Sequence, residues 1–585
     1  MILQALYDYY ERKASDPDGG IAPEGFEHKE IPFVIVIDES GNLVQIEDTR
    51  YLEGKKLRSK RFLVPQSEKR SGNVKPYLLW DNAEHIFGVA VKNTKEQVAK
   101  YHAAFIKRIK DLDVENDLGI SAVLKFLSSA PEENLEKSEY VSEIKEQNSF
   151  LAFRLNTDVH LVSERQKVID AITSQDLSGD KKLCLVTGNY DVIARLHPAI
   201  KGVRGTNTSG GDIVSFNEDA FTSFQKSQGN NAPIGYKATF AYTTALNHLL
   251  GKDSKQKIQV GDATAIFWAE KSTCFESDFS AFFDEPPKDN PDRLTDAIRA
   301  LYQSIGSGIL PIKDVENRFF VLGLSPNAAR ISIRFWNAGT VAEFSQRIKT
   351  HFDDIDIDHR SFAMARLPLK TMLRAIAPLN DVERIPPNLA GDWTRAIFSG
   401  LTYPDTLMQM ALRKIRSHRD ESKMSKVKYE IEVEYPCVSI IKAYLNRKSK
   451  FQHQQEKEMT VSLDKENRNT GYRLGRLFAL LEKIQEEANQ GINATIRDRY
   501  YSAVSGAPAS VLPILMRLKN HHLAKLAKLE KGRTIYFERL IGEVLNEVMD
   551  FPLQLNLQDQ GRFFIGYYHQ RQALFTKSES SVQGE

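Results

Sequence analysis

Apolar residues at Ile2, Leu3, Leu6, Tyr9 and Tyr10 recur at three- and four-residue spacing, which predicts an amphipathic helix from Ile2 to Lys13. The breaker Asp16-Pro17-Asp18-Gly19-Gly20 closes it. The texture then turns β-branched: IPFVIVID (Ile31 to Asp38) and LVQIED flank Ser40-Gly41-Asn42, the pattern of a β-hairpin. YLLWDNAEHIFGVAV, around Asp81-Asn82, reads as a second hairpin. Helical spacing returns in Lys95 to Lys110 and Leu118 to Leu127, while DVHLVSE near Asp158, KKLCLVTG and Ala263 to Ala269 are strand candidates.

After Pro386-Pro387 the apolar residues recur almost entirely at helical spacing. Leu474, Leu477, Phe478, Leu481 and Ile484 make one apolar face, with Gly491 as a terminating glycine. Further helices are predicted at Ala494 to Ser505, Ser510 to Lys528 and Tyr536 to Met549, with Pro508, Gly532 and Pro552 as punctuation. The fold class is therefore α+β: a mixed α/β N-terminal region (1–385), a helical connecting region (386–458) and a C-terminal helical bundle (459–585). The Ser-rich tail Ser578 to Glu585 reads as disordered.

Composition changes this picture little, but charge placement changes it a good deal. The 585 residues are 41% hydrophobic and 27% charged, enough for several buried cores, and the formal net charge is only +2. Residues 50–75 nevertheless hold nine Lys/Arg against Glu53 and Glu68, and Arg413 to Lys428 holds seven against Asp420 and Glu421. A polyanion senses charge over about 8 Å in physiological salt, so such patches outweigh the net value. Cys184, Cys274 and Cys437 stand apart, without a disulfide framework or zinc spacing. With no signal-peptide pattern and no run near the ~20 apolar residues of a membrane span, the expectation is a cytoplasmic protein without membrane contact.

Gly205-Thr206-Asn207-Thr208-Ser209-Gly210-Gly211 begins like a phosphate-binding loop, yet the Lys and Ser/Thr of a Walker motif do not follow Gly210. As a glycine-rich turn next to Arg195, Lys201 and Arg204 it suits close approach to a phosphate backbone, and it reads equally as a surface turn. The densest ligand-type cluster, His351, Asp353, Asp354, Asp356, Asp358 and His359, offers carboxylates and imidazoles to a divalent ion but lacks EF-hand and HExxH spacing. It reads either as a nuclease-like metal site or as a solvated acidic loop. No serine, cysteine or lysine has a recognisable nucleophile context. The expectation is a protein with no catalytic residues, no metal and no cofactor.

Nucleic-acid binding has broader support. Lys55, Lys56, Arg58, Lys60, Arg61, Lys69 and Arg70 suit phosphate contacts, and the amides of Asn73 and Asn82, beside Lys75, suit base edges. In the C-terminal bundle Arg473, Arg476, Arg497, Arg499, Arg517, Lys519, Lys525 and Lys528 recur near Tyr472, Tyr500 and Tyr501, a combination able to track a single strand. A solvated charge run and core tyrosines are the plainer alternatives.

CLVTGNYDVIARLHPAIKGVRGTNTSGGDIVSFNEDAFTSFQKSQGNNAPIGYKATFAYTTALNHLL (Cys184 to Leu250) resembles the signature block of the Csd-one family, the large subunit of the type I-C CRISPR surveillance complex (Cascade). Similar blocks continue as GDATAIFWAE, LGLSPNAARISIRFW, PPNLAGDWTRAI, YRLGRLFALLEKIQ, NATIRDRYY and DQGRFFIGYYHQR, so the resemblance covers essentially the whole chain. It implies a non-catalytic subunit of a crRNA-guided antiviral defence complex. Such a subunit reads a short protospacer-adjacent motif (PAM) on double-stranded target DNA, assists duplex opening and R-loop formation, and recruits the helicase-nuclease. Its partners would be the crRNA, the target duplex and its displaced single strand, the Cascade backbone and crRNA-handle-binding subunits, and the small subunit. Within the matching blocks, chemistry points to Asn73, Lys75, Asn82, Lys201, Arg204, Asn207, Thr208, Ser209, Gly210 and Gly211 for DNA and PAM contacts. The resemblance also implies that the C-terminal region is made separately as the small subunit, and Met459 is the candidate internal start. A metal-dependent nuclease using His351, Asp353, Asp354 and Asp356, or a purely structural scaffold, is the alternative.

Overall fold

The computed structural model describes the chain except for residues 17–18, 68–73, 115, 175–178, 180, 286–291, 307–315, 418–424, 453–456 and 576–585. The Ser-rich tail therefore lies outside the described residues. The chain folds as two compact units, and the α+β class read from the sequence holds. The first unit is Met1–Gly202 with Thr206–Lys252 and Asn327–Ile331; the second is Val203–Gly205, Asp253–Pro326 and Ser332–Glu585. The sequence boundary at 385/386 falls inside the second unit.

In the first unit a four-stranded sheet runs in the order Leu43–Asp48, Phe33–Ile37, Phe150–Leu155, Trp80–Asn82. The FVIVI strand is buried along its whole length, because both its faces are covered. Phe33, Ile35 and Ile37 join the core built with Phe105, Ile109, Val123 and Phe126 from the helices, whereas Val34 and Val36 pack with Val64, Trp80 and Leu161 on the other face. The strand is antiparallel to Leu43–Asp48, as the hairpin pattern predicts, and parallel to Phe150–Leu155, which requires the long helical crossover between them. That crossover contains Lys95–Lys110, opened by a capping box of Thr94 and Gln97, and Leu118–Ser128, capped by Asp117.

Two predicted strand features differ. The segment around Asp81-Asn82 is a short strand followed by the helix Ala83–Phe87, not a hairpin: the Asn82 side chain accepts from the His85 N–H, and Gly88 closes the helix at φ +71°. DVHLVSE forms a 3₁₀ turn at Val162–Glu164; Leu161 and Val162 are buried single anchors there, and the strand lies earlier, at Phe150–Leu155. KKLCLVTG does begin with a strand, Lys181–Leu183, paired antiparallel with Tyr190–Val192.

The second unit is built on a sheet ordered Lys257–Val260, Ala263–Ala269, Arg318–Asn327, Arg330–Thr340. One continuous hydrophobic core joins this sheet to the helices that follow. The tightest helix pair is Thr470–Ala488 against Leu557–Phe575. Glycine permits it: a Cβ on Gly475 would lie 1.9 Å from the Phe563 carbonyl oxygen, and one on Gly566 would lie 2.1 Å from that of Tyr472. The predicted helices of the C-terminal bundle appear as Ile496–Gly506, Pro508–Leu529 and Lys531–Leu545.

Candidate nucleic-acid interface

The basic stretch of the first unit is itself a β-hairpin. Arg50–Glu53 runs antiparallel to Lys56–Ser59, with Gly54 at φ +64° and Lys55 forming the turn. Lys55 and Lys56 are exposed at the tip, and Lys60 and Arg61 are exposed at its base. Arg58 is less open: it pairs with Glu53 at 3.2 Å and Glu30 at 3.8 Å. Glu53 also meets Lys252 at 2.6 Å, and this lysine chiefly holds its carboxyl below the usual carboxylate range. The hairpin thus carries its cations on exposed backbone rather than on a packed face, an arrangement open to phosphates. Lys69, Arg70 and Asn73 lie outside the described residues.

Asn82 has a structural task. Its side-chain oxygen lies 3.2 Å from the His85 N–H and 2.9 Å from His85 Nδ1, so the edge assigned to a base is committed to a helix cap. Lys75 is exposed.

The glycine-rich loop is closed at its neck: Ile200 and Gly211 exchange both backbone hydrogen bonds at 2.9 Å. Gly210 sits at φ +90° and donates its N–H to the Asn207 carbonyl, and a Cβ there would lie 2.6 Å from the Ile200 oxygen. Gly210 and Gly211 therefore shape the loop, and Gly211 is buried. Asn207, Thr208 and Ser209 form the exposed tip, while exposed Lys201 has its backbone N–H fixed by Asn247 Oδ1 at 2.8 Å. Arg204 belongs to the second unit, where its guanidinium pairs with Glu383 and its N–H donates to Thr264 Oγ1.

The C-terminal cations divide sharply. Arg473 is buried and donates to the carbonyls of Asn467 at 2.8 Å and Val544 at 3.2 Å. Arg476 is buried against Gln570, and burial lowers its pKa. Arg497 reaches Glu434 at 3.0 Å and stands over the rings of Tyr429, Tyr501 and Tyr567 at 5.0 to 5.5 Å. These three arginines, with buried Tyr472 and Tyr501, hold the bundle together and are not available to a strand. Arg499, Arg517, Lys525 and Lys528 are exposed, and Lys519 is partly so. The sequence periodicity could not separate the two groups, because an arginine reads as polar whether it faces water or a buried carbonyl.

The acidic cluster is dispersed into individual pairs. His351 is buried with Nδ1 2.5 Å from the Tyr403 hydroxyl, and burial pushes its pKa down to about 3. Asp354 meets Arg447 at 2.6 Å, Asp353 meets Lys349 at 2.7 Å and Asp356 meets Arg366 at 3.1 Å. Among the described residues no three His, Cys, Asp or Glu side chains converge in a metal-binding group. Met459, the candidate internal start, is buried, and its backbone N–H and carbonyl both bond the Asn446 side chain.

A two-unit α+β protein with basic loops at its surface fits the class the signature blocks suggest. Residues 6–575 match the family described as CRISPR-associated protein (Cas_Csd1), and the chain belongs to that family. No curated protein matches it. No helix among the described residues is long and apolar enough to cross a membrane.

Proposed function

We propose that this CRISPR-associated protein is the non-catalytic large subunit of a cytoplasmic, crRNA-guided type I-C Cascade complex, and that it reads the PAM on target duplex, assists R-loop formation and recruits the helicase-nuclease. The observation that carries the reading is the family match across nearly the whole chain. The exposed cationic hairpin and the polar tip Asn207–Ser209 supply suitable chemistry. Guide pairing provides long-sequence specificity in RNA-guided systems, so the protein has only to read a few base pairs and hold backbones. Lys55, Lys56, Lys60 and Arg61 take phosphates; Asn207, Thr208 and Ser209, with Lys201 and Lys75, take the PAM-proximal duplex. Arg499, Arg517 and Lys519, with Lys525 and Lys528, are the candidate bundle cations left to meet the displaced strand. The segment from Met459 to the C-terminus is also made separately as the small subunit; a short product that persists in a Met459→Leu gene would refute that start.

The test is binding of the reconstituted crRNA complex, with and without this chain, to duplexes carrying a randomised PAM, in magnesium and at two salt concentrations. PAM-dependent affinity that appears only with the chain, without cutting, is expected. PAM-blind affinity would leave a scaffold, and cleavage would restore the metal-dependent nuclease.

A further inference from the structure

Ser223 to Lys226 form a tight turn in which the Lys226 N–H donates to the Ser223 carbonyl at 3.0 Å. Its two central residues, Phe224 and Gln225, have φ of +50° and +58°. Left-handed conformation at both central positions is the pattern of a type I′ turn, where glycine, asparagine and aspartate are strongly preferred. A phenylalanine there is an outlier, and its ring is 92% exposed. The turn is held in this unfavourable form from within: Asn231 Oδ1 accepts from the Ser223 N–H at 2.9 Å, and Asn231 Nδ2 donates to the carbonyls of Lys226 at 3.0 Å and Gln228 at 2.9 Å. The preceding flank is fixed as well, because Arg330 stacks over Phe221 at 4.2 Å and bonds the Asn217 side chain.

Cations are tied to the segment that carries the ring. Lys226 adjoins it and is exposed, Arg195 bonds Gln228 at 2.6 Å, and Lys182 bonds Asn230 at 2.9 Å. Glu218 and Asp219 are the exposed acids of the same segment. Backbone strain retained by a dedicated brace indicates that the displayed side chain has a use. An exposed aromatic among lysines and arginines matches an unpaired nucleobase, which offers a π-face to the ring and a phosphate to the cations.

We propose that Phe224 is a base-stacking residue that receives an unpaired DNA base next to the duplex contacted by this chain. The proposal rests on the nucleic-acid-binding reading above and adds a position and a contact to it. Asn231 acts through Phe224, as a positioning residue.

The experiment uses the full chain and three fluorescein-labelled oligonucleotides of one sequence: a paired DNA duplex, the same duplex with a three-nucleotide unpaired bubble, and single-stranded RNA. Phe224→Ala should weaken bubble binding about tenfold and leave the paired duplex unchanged, as loss of one stacked base predicts. Phe224→Trp should restore binding, and its fluorescence should be quenched on bubble DNA. Asn231→Ala, which releases the turn but keeps the ring, should fall between. Equal bubble affinity for the wild type and Phe224→Ala would overturn the proposal, as would equal weakening on both DNAs or an effect confined to RNA. A wild-type chain that binds none of the three would overturn the nucleic-acid reading itself.

Discussion

At the scale of single residues, the structure separates polar side chains that shape the protein from those that remain open to a ligand. The turn at Phe224 makes the distinction measurable in opposite directions. A left-handed non-glycine residue costs roughly 1–2 kcal/mol, and glycine removes that cost at the expense of some chain entropy. Gln225→Gly should therefore raise stability by about 1 kcal/mol in denaturant titration, with Phe224 still displayed. Lys56 and Asn207 give a second contrast. Lys56→Ala should weaken every DNA sequence alike and reduce the slope of log affinity against log salt by about 1, because one phosphate contact is lost. Asn207→Ala should instead change the PAM preference with the salt slope unaltered. If both variants lower affinity identically across a randomised PAM, the division into readers and clamps fails.

Among secondary-structure elements, glycines that look alike in the sequence have opposite roles. Gly475 faces the Phe563 carbonyl across the tightest helix pair, whereas a Cβ on Gly542, in the helix Lys531–Leu545, would meet nothing within 4 Å. Gly475→Ala should cost about 3 kcal/mol through forced separation of the helices. Gly542→Ala should gain about 1 kcal/mol from helix propensity. Thermal unfolding of the two variants checks both signs. This helix pair also marks what the sequence made legible. Leu474, Leu477, Phe478, Leu481 and Ile484 announced the first helix, but its partner Leu557–Phe575 has no such stripe. Residues Gly561 to Gln570 are buried without interruption, so apolar and polar positions there follow burial on all sides. The N-terminal hairpin, Lys95–Lys110 and the basic cluster were readable because their patterns are local. The interior placement of Arg473, Arg476 and Arg497 was not, since each depends on a partner distant in the chain, whereas the Asn82 cap is a local contact to His85 hidden by the hairpin reading of its segment.

Across the second unit, burial has also fixed the protonation of histidines, and this gives the molecule an acid limit. His351 and His569 are both held at a pKa of about 3, chiefly by burial and secondarily by Arg447 and Lys442 respectively. Each ring lies against a tyrosine hydroxyl, Tyr403 at 2.5 Å and Tyr472 at 3.0 Å. In the unfolded chain the same imidazoles titrate near about 6.5. Below that value the unfolded state takes up protons that the folded state refuses, so stability falls as pH falls, from about 6.5 down to the folded pKa. Above it the contribution is complete and flat. One pKa unit corresponds to about 1.4 kcal/mol, so the two residues together withdraw about 4 kcal/mol by pH 5. Carboxylates held below their usual range, such as Glu487 beside Arg533 and Asp405 beside Tyr444, add their loss only under more acidic conditions, below about pH 4.5. Urea titrations of the full chain between pH 8 and 5 should therefore show stability constant to about pH 6.5 and declining below it. His351→Gln should lower stability at pH 8, because a buried contact is altered, and should reduce the slope between pH 6 and 5 by about a third, since His248 in the first unit, held at about 4 chiefly by burial, contributes to the same slope. A variant whose slope in that interval equals that of the wild type would show that His351 does not titrate on unfolding as its burial requires.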